Sequence, residues 1–188
     1  MNQPGLAGDP DALYMACPGQ AARDLASLLP GGPVLELCCG VGGLTVELAR
    51  NHRVLAIDRS LARLEACREN LSVQGLEAKA GLMACDLNRP ALSPLRTPFR
   101  FAVCVLDPDW SPRGRPVQHW TANLGDMSPP VLDAARWALA FSPLLAIRLP
   151  KSADCDGLDE LGPVSWFQPP SLADSRFGFM LVGNWAGL

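Results

Sequence analysis

Apolar residues along this chain come in short blocks of two kinds. VLELC (34–38), VLAID (54–58), FAVCVLD (101–107) and LLAIRL (144–149) are nearly continuous apolar runs, the pattern of strands buried on both faces of a sheet. Around and between them, AARDLASLL (21–29), LTVELAR (44–50), SLARLEACRENLSVQG (60–75) and SPPVLDAARWALA (128–140) read as helices. In the first of these Leu25, Leu28 and Leu29 share one face, and PGG (30–32) stops it. Ser60 is placed to cap the third helix and Gly75 to end it in the left-handed region; Ser128 is placed to cap the fourth, with prolines in its first turn. A weaker strand ends at MACD (83–86).

Beyond Pro150 the pattern changes. PVSWFQP (163–169) and RFGFMLVGNW (176–185) are β-rich runs joined by PSLADS with no helix between, so an antiparallel pair is expected to end the sheet. Trp137, Trp166 and Trp185 fall inside these helix and strand patterns and are expected in the core. Alternating strands and helices with short connections predict an α/β fold, a Rossmann-like doubly wound, mostly parallel sheet covered on both faces. Ligands of such sheets bind beyond the carboxyl ends of the strands. The residues to weigh are therefore 36–43, 58, 86 and 107–110.

Composition narrows the picture little further. The 188 residues are about one domain, and 48% hydrophobic against 19% charged residues mark it as globular. Residues 17–188 read as that domain, preceded by a flexible or partly ordered segment, 1–16. No apolar run approaches the roughly 18–20 residues a membrane span needs, and the first residues have neither the positive nor the apolar region of a signal peptide. A cytoplasmic location is expected, with the seven cysteines, which lack CxxC spacing, as reduced thiols rather than disulfides or zinc ligands. No metal is expected.

Charge changes more. A formal net charge of -3 excludes a chain that coats nucleic acid non-specifically. Between Arg89 and Trp120, however, five arginines stand against two aspartates, while five acids against one arginine follow Ser152. A polyanion would meet a local patch.

The chemistry gathers at the strand ends. ELCCGVGG (36–43) puts Gly40, Gly42 and Gly43 where the first strand turns into its helix, allowing a ligand close to the main chain. Dinucleotide binding is a rival, but Thr45 stands where the third glycine of G-x-G-x-x-G would be. Asp58 ends the second strand 18 residues after Gly40, placed for the hydroxyls of a ribose, and Asp86 follows the third at the rim of an adenine pocket. Acids without a phosphate-gripping base suit a cationic nucleoside such as S-adenosylmethionine better than a pyrophosphate.

From CPGQAARDLASLL (17–29) through VLELCCGVGGLTVELA (34–49), VLAIDRS (54–60), ENLSVQGL (69–76) and CDL (85–87), the chain resembles class I S-adenosylmethionine-dependent methyltransferases. More narrowly it is similar to the trimethylguanosine synthase type of RNA cap guanine-N2 methyltransferase, which reads CGVGG in the first turn and (S/D)PPW after strand four. The likeness continues through DMSPP (126–130) and RLPKSAD (148–154). It implies a seven-stranded sheet with an antiparallel last strand, and S-adenosylmethionine held by Glu36, Gly40, Gly42, Gly43, Asp58 and Asp86, with Glu36 near its methionine amino group. By position Asp107 is the side chain that accepts a hydrogen bond from the target amine, Pro108 supplies a carbonyl acceptor, and Trp110 stacks on the base.

The chain departs from that pattern at Asp109, which stands in VLDPDWSP (105–112) where the family has a second proline. Either the aspartate turns away, towards Arg113 or Arg115, and the site works, or the Pro108 carbonyl loses its hold and transfer fails. Arg113 and Arg115 in SPRGRP (111–116) are candidates to grip a phosphate beside the target base, equally readable as solvated loop charges. The implied activity is methylation of the exocyclic N2 of a guanine in RNA. Alternatives are a methyltransferase of the same fold acting on adenine, protein or a small molecule, a cofactor-binding module without activity, and a nicotinamide-linked oxidoreductase.

Overall fold

The computed structural model of the chain describes residues 5–88, 100–112 and 114–187. Its strands obey the period-two rule of a sheet covered on both sides. Val34 and Val54 in β1 (Val34–Leu37) and β2 (Val54–Asp58), with Val103 and Val105 in β4 (Val103–Leu106), enter one core beside Leu25, Leu44 and Leu48. Their neighbours Leu35, Leu37, Ile57, Cys104 and Leu106 enter a second core on the other face. Fully burying each such side chain contributes roughly 1.5–3 kcal/mol.

Helices α2 (Gly19–Leu28), α3 (Gly43–Asn51) and α4 (Leu61–Val73) supply the first core, α5 (Val131–Leu139) the second. The seven strands run β3-β2-β1-β4-β5-β7-β6, with β3 (Ala80–Ala84), β5 (Leu145–Pro150), β6 (Val164–Phe167) and β7 (Phe177–Val182) completing the order. The first five are parallel, and β7 lies antiparallel between β5 and β6. This is the class I methyltransferase topology, and the expected α/β fold with its antiparallel ending is what forms. Order reverses between β1 and β4, so their carboxyl ends open one crevice.

Local signals explain most element ends. Ser60 caps α4 through its hydroxyl, which accepts from the Arg63 amide at 3.3 Å, and Gly75 follows at φ +67. Ser128 does not cap α5: its backbone pairs with Asp109 instead, so the helix begins only at Val131. A tertiary bridge there outweighed a local capping preference. Trp166, expected in the core, is 37% exposed on the edge strand β6. The segment before residue 17 holds α1 (Pro10–Met15), capped by Asp9 and leaning over the crevice.

Among the described residues no helix is long and apolar enough to cross a membrane, and no group of three or more His, Cys, Asp or Glu could hold a metal ion. All seven cysteines are free thiols.

Candidate active site

The crevice beyond β1, β2 and β4 is a cleft open to solvent. Four of the expected cofactor residues line it: Gly40, Gly43, Asp58 and Asp86. Asp107 and Pro108 line the same cleft, joined by Ser128, Pro129 and, from α1 and its exit, Ala12, Met15 and Cys17.

Glu36 and Gly42 stand behind the lining. Gly42 is the N-cap of α3 at φ +91, and a Cβ there would lie 2.7 Å from Cys67 Sγ, so the turn needs glycine twice over. Glu36 is 1% exposed and neither carboxylate oxygen makes a well-formed hydrogen bond. Burial, then Cys67, Asp107 and Asp58, push its carboxyl well above the ordinary range, with Thr45 alone opposing. A cation held in front of such a carboxyl would favour its ionised form and gain a counter-charge there.

Asp58 ties the turn together. One oxygen accepts from the Gly40 amide at 2.8 Å and the other from Ser60 at 2.8 Å, which fixes the glycine turn to the end of β2. Cys38 opens that turn at φ 65, a region that costs a non-glycine residue strain, and it lines the cleft. Asp86 accepts from Asn88 through both its amide and its side chain, at 3.0 and 2.8 Å.

Asp109 makes its own turn. Its Oδ1 accepts from the Ser111 amide at 3.0 Å and the Ser111 hydroxyl at 2.6 Å. Its backbone forms a two-bond bridge with Ser128, donating at 2.9 Å and accepting at 3.0 Å. Of the two arginines towards which it was expected to turn, Arg115 is exposed and Arg113 lies outside the described residues. Four hydrogen bonds thus hold the segment where a proline ring would hold it in the family pattern.

Trp110 is not where a base would stack. It is 7% exposed, its Nε1 donates to the Arg148 carbonyl at 3.0 Å, and the Arg148 guanidinium sits 4.6 Å from its ring centroid. Trp120 meets it edge-on at 4.9 Å. The resemblance made Trp110 a stacking platform by position alone, whereas its large ring packs into the second core.

The residue that sequence reasoning passed over is Arg148. It lies in the middle of β5, 4% exposed, with Nε 2.9 Å from Asp107 Oδ1. Burial pushes the Asp107 carboxyl up to about 6, with Arg148 pulling it down and Asp109 adding to the rise. A lone charged letter inside LLAIRL was the available signal, because an arginine in a doubly covered strand needs a partner. The thiols nearby are quiet: burial raises Cys17 to about 12 and Cys38 well above its ordinary value.

The chain is similar in sequence and in fold to known methyltransferases. The chain matches the methyltransferase domain family over residues 34–119, the stretch that carries the glycine turn, Asp58, Asp86 and the loop after β4. It is 41% identical over 76 residues to ribosomal RNA small subunit methyltransferase B of Pseudomonas syringae, a stretch covering 38% of this chain and 16% of that protein. The counterpart from Pseudomonas putida is 41% identical over 71 residues, 36% of this chain and 16% of its own length. The chain thus spans about a sixth of the curated relatives it matches.

In three dimensions it is similar to the Thermus thermophilus 16S rRNA N2 G1207 methyltransferase solved with S-adenosylmethionine and guanosine. The TM-score is 0.65 and the identity 18%, covering 96% of this chain and 44% of that one. An O-methyltransferase of tomaymycin synthesis from Streptomyces achromogenes, in complex with S-adenosylmethionine, aligns at a TM-score of 0.60 and 15% identity, over 96% and 83% of the two chains. One architecture therefore carries unlike acceptors, and the fold alone does not choose among them.

Proposed function

We propose that this chain, a class I S-adenosylmethionine-dependent methyltransferase, transfers methyl to the exocyclic N2 of a guanine in RNA, ribosomal RNA foremost. The observation that carries the acceptor assignment is Asp107, whose carboxylate lines the same cleft as the glycine turn and Asp58. The guanine-N2 methyltransferase of Thermus thermophilus and the ribosomal RNA methyltransferases of Pseudomonas support it from outside.

The residues present fit the cofactor. Gly40 and Gly43 give close approach, Asp58 and Asp86 offer carboxylates to a nucleoside, and the buried Glu36 carboxyl lies behind the turn. When bound, S-adenosylmethionine supplies an electrophilic methyl on a sulfonium sulfur.

The rest falls to the protein. A guanine amine is a weak nucleophile because its lone pair is delocalised into the ring, so holding it in line is the main contribution the site can make. Asp107 and the Pro108 carbonyl accept its two N–H bonds, and the Asp107 carboxylate stabilises positive charge as it develops on nitrogen. The Asp109 turn and its bridge to Ser128 keep Pro108 in place. Trp110 acts from behind by packing Arg148, and Arg115 meets a phosphate beside the base. With Cys17 and Cys38 held protonated, direct transfer to an amine suits the cleft better than a route through a cysteine adduct.

Tritiated methyl from S-adenosylmethionine, offered with protein-free undermethylated total RNA, tests this. Wild type should label RNA that digests to N2-methylguanosine, and Asp107→Ala should lower that label at least ~100-fold. Label in another nucleoside would move the acceptor. Normal cofactor binding with label in no nucleic acid would favour a different substrate or a binding module.

A further inference from the structure

Arg148 is the one charged residue of β5, and its surroundings hold it tightly. Nε lies 2.9 Å from Asp107, Nη2 donates to the Met15 carbonyl at 2.5 Å, and the guanidinium sits between the rings of Trp110 and Phe177, at 4.6 and 5.4 Å. A buried ion pair of this kind is a costly way to fill a core, since apolar residues of the same volume serve stability as well or better. Its partner Asp107 also faces the cleft. The pair therefore has a use beyond packing.

Resting on the guanine reading above, we propose that Arg148 sets which base this site methylates. By pairing with Asp107 it keeps that carboxylate free of a proton, a group that accepts hydrogen bonds and cannot donate one. Guanine presents its N2 amine beside N1–H, two donors in a row, which an ionised carboxylate satisfies. Adenine presents its N6 amine beside the N1 lone pair, and cytosine its N4 amine beside the N3 lone pair. Either ring nitrogen would face a carboxylate oxygen, lone pair against lone pair. A protonated carboxyl would donate to that nitrogen while accepting from the amine, and would admit them. A well-placed pair of hydrogen bonds discriminates between bases by on the order of 5- to 150-fold.

The groups that face Asp107 leave this task to one residue. Asp109 from its own loop, Glu36 from β1, Cys38 from the glycine turn and Cys17 from the exit of α1 are acids or thiols; Arg59 and Arg63 line the same cleft, and Arg148 from β5 is the cation that pairs with Asp107, at 2.9 Å. With Arg148 in place the carboxyl titrates at about 6, so it is ionised at pH 7.5 and protonated at pH 5. Without the cation, burial and the neighbouring acid would carry the titration higher. Arg148 is thus a positioning and specificity residue that acts through Asp107.

The first test needs no mutation. Wild type transfers tritiated methyl into undermethylated total RNA between pH 5 and 9, and the digest is scored for N2-methylguanosine against N6-methyladenosine and N4-methylcytidine. The guanine share should fall about tenfold from pH 7.5 to pH 5. In parallel, the Asp107 carboxyl is titrated by carbon-13 NMR in aspartate-labelled wild type, Arg148→Met and Arg148→Lys. In Arg148→Met the Asp107 midpoint and the pH at which guanine transfer rises should both move up by at least one pH unit, so that guanine transfer at pH 7.5 falls below wild type and is regained towards pH 9; Arg148→Lys should stay near wild type.

An unchanged guanine share across the wild-type pH series, or an Asp107 midpoint equal in wild type and Arg148→Met, overturns the inference and leaves the guanine reading standing. Absence of N2-methylguanosine from wild type at every pH removes that reading, and the inference with it.

Discussion

At the scale of single residues, Asp109 settles what it does by what it bonds to. Its amide donates to Ser128 and its carboxylate takes both Ser111 donors, so the family's proline would be a poor replacement here. Proline removes the amide hydrogen and the side-chain acceptor together. Asp109→Pro should therefore destabilise the protein by about 2–3 kcal/mol in urea unfolding, and Asp109→Asn, which keeps the turn, by under about 1 kcal/mol. Methyl transfer should survive Asp109→Asn and drop in Asp109→Pro. Cys38 makes a second case. At φ 65 its backbone is strained, and Cys38→Gly should change stability little or raise it by up to about 1 kcal/mol, whereas the β-branched Cys38→Val should lower it by more than 1 kcal/mol in the same assay.

Elements meet at the glycine turn, and their packing decides how much of the cleft is built. Asn70 of α4 accepts from the Ala7 amide at 2.7 Å and donates to the carbonyls of Ala7 and Val41, at 2.9 and 2.8 Å. It joins the N-terminal segment to the turn that the cofactor would occupy. Asn70→Ala should cost about 2–3 kcal/mol of stability and weaken S-adenosylmethionine binding about tenfold in calorimetry, because α1 supplies one wall of the cleft. Gly42 works at the same junction. Gly42→Ala forces a Cβ onto Cys67 and a side chain into the left-handed region, so adding Cys67→Ala should recover the clash and leave the backbone strain. Partial recovery of the unfolding midpoint in the double variant is the expected result.

For the whole molecule, the sheet gathers residues more than a hundred positions apart into one site, and ligand binding should stabilise it as a unit. S-adenosylmethionine at about 100 times its Kd should add about 2.7 kcal/mol, a rise in Tm of roughly 5–10 °C by calorimetry, with NAD at the same concentration giving none. The continuous apolar runs and helical spacings predicted the mostly parallel α/β sheet, the resemblance implied its seven strands, and the strand ends pointed to four residues that line the cleft, Gly40, Gly43, Asp58 and Asp86. Those features are local: a strand buried on both faces has to be apolar throughout, and a sharp turn has to spare side chains. What sequence spacing could not express was who meets whom across the sheet. Arg148 on β5 and Asp107 just past the end of β4 meet although 41 residues apart, Asp109 and Ser128 pair across 19, and Met15 reaches Arg148 only because α1 folds over the crevice. Trp110 turned inward for the same reason, its ring finding a buried cation that no local pattern announced. Local chemistry dictated the elements and the turn, and tertiary contact alone decided which charges share the cleft, because a buried charge takes its state from neighbours that the chain brings together only when it folds.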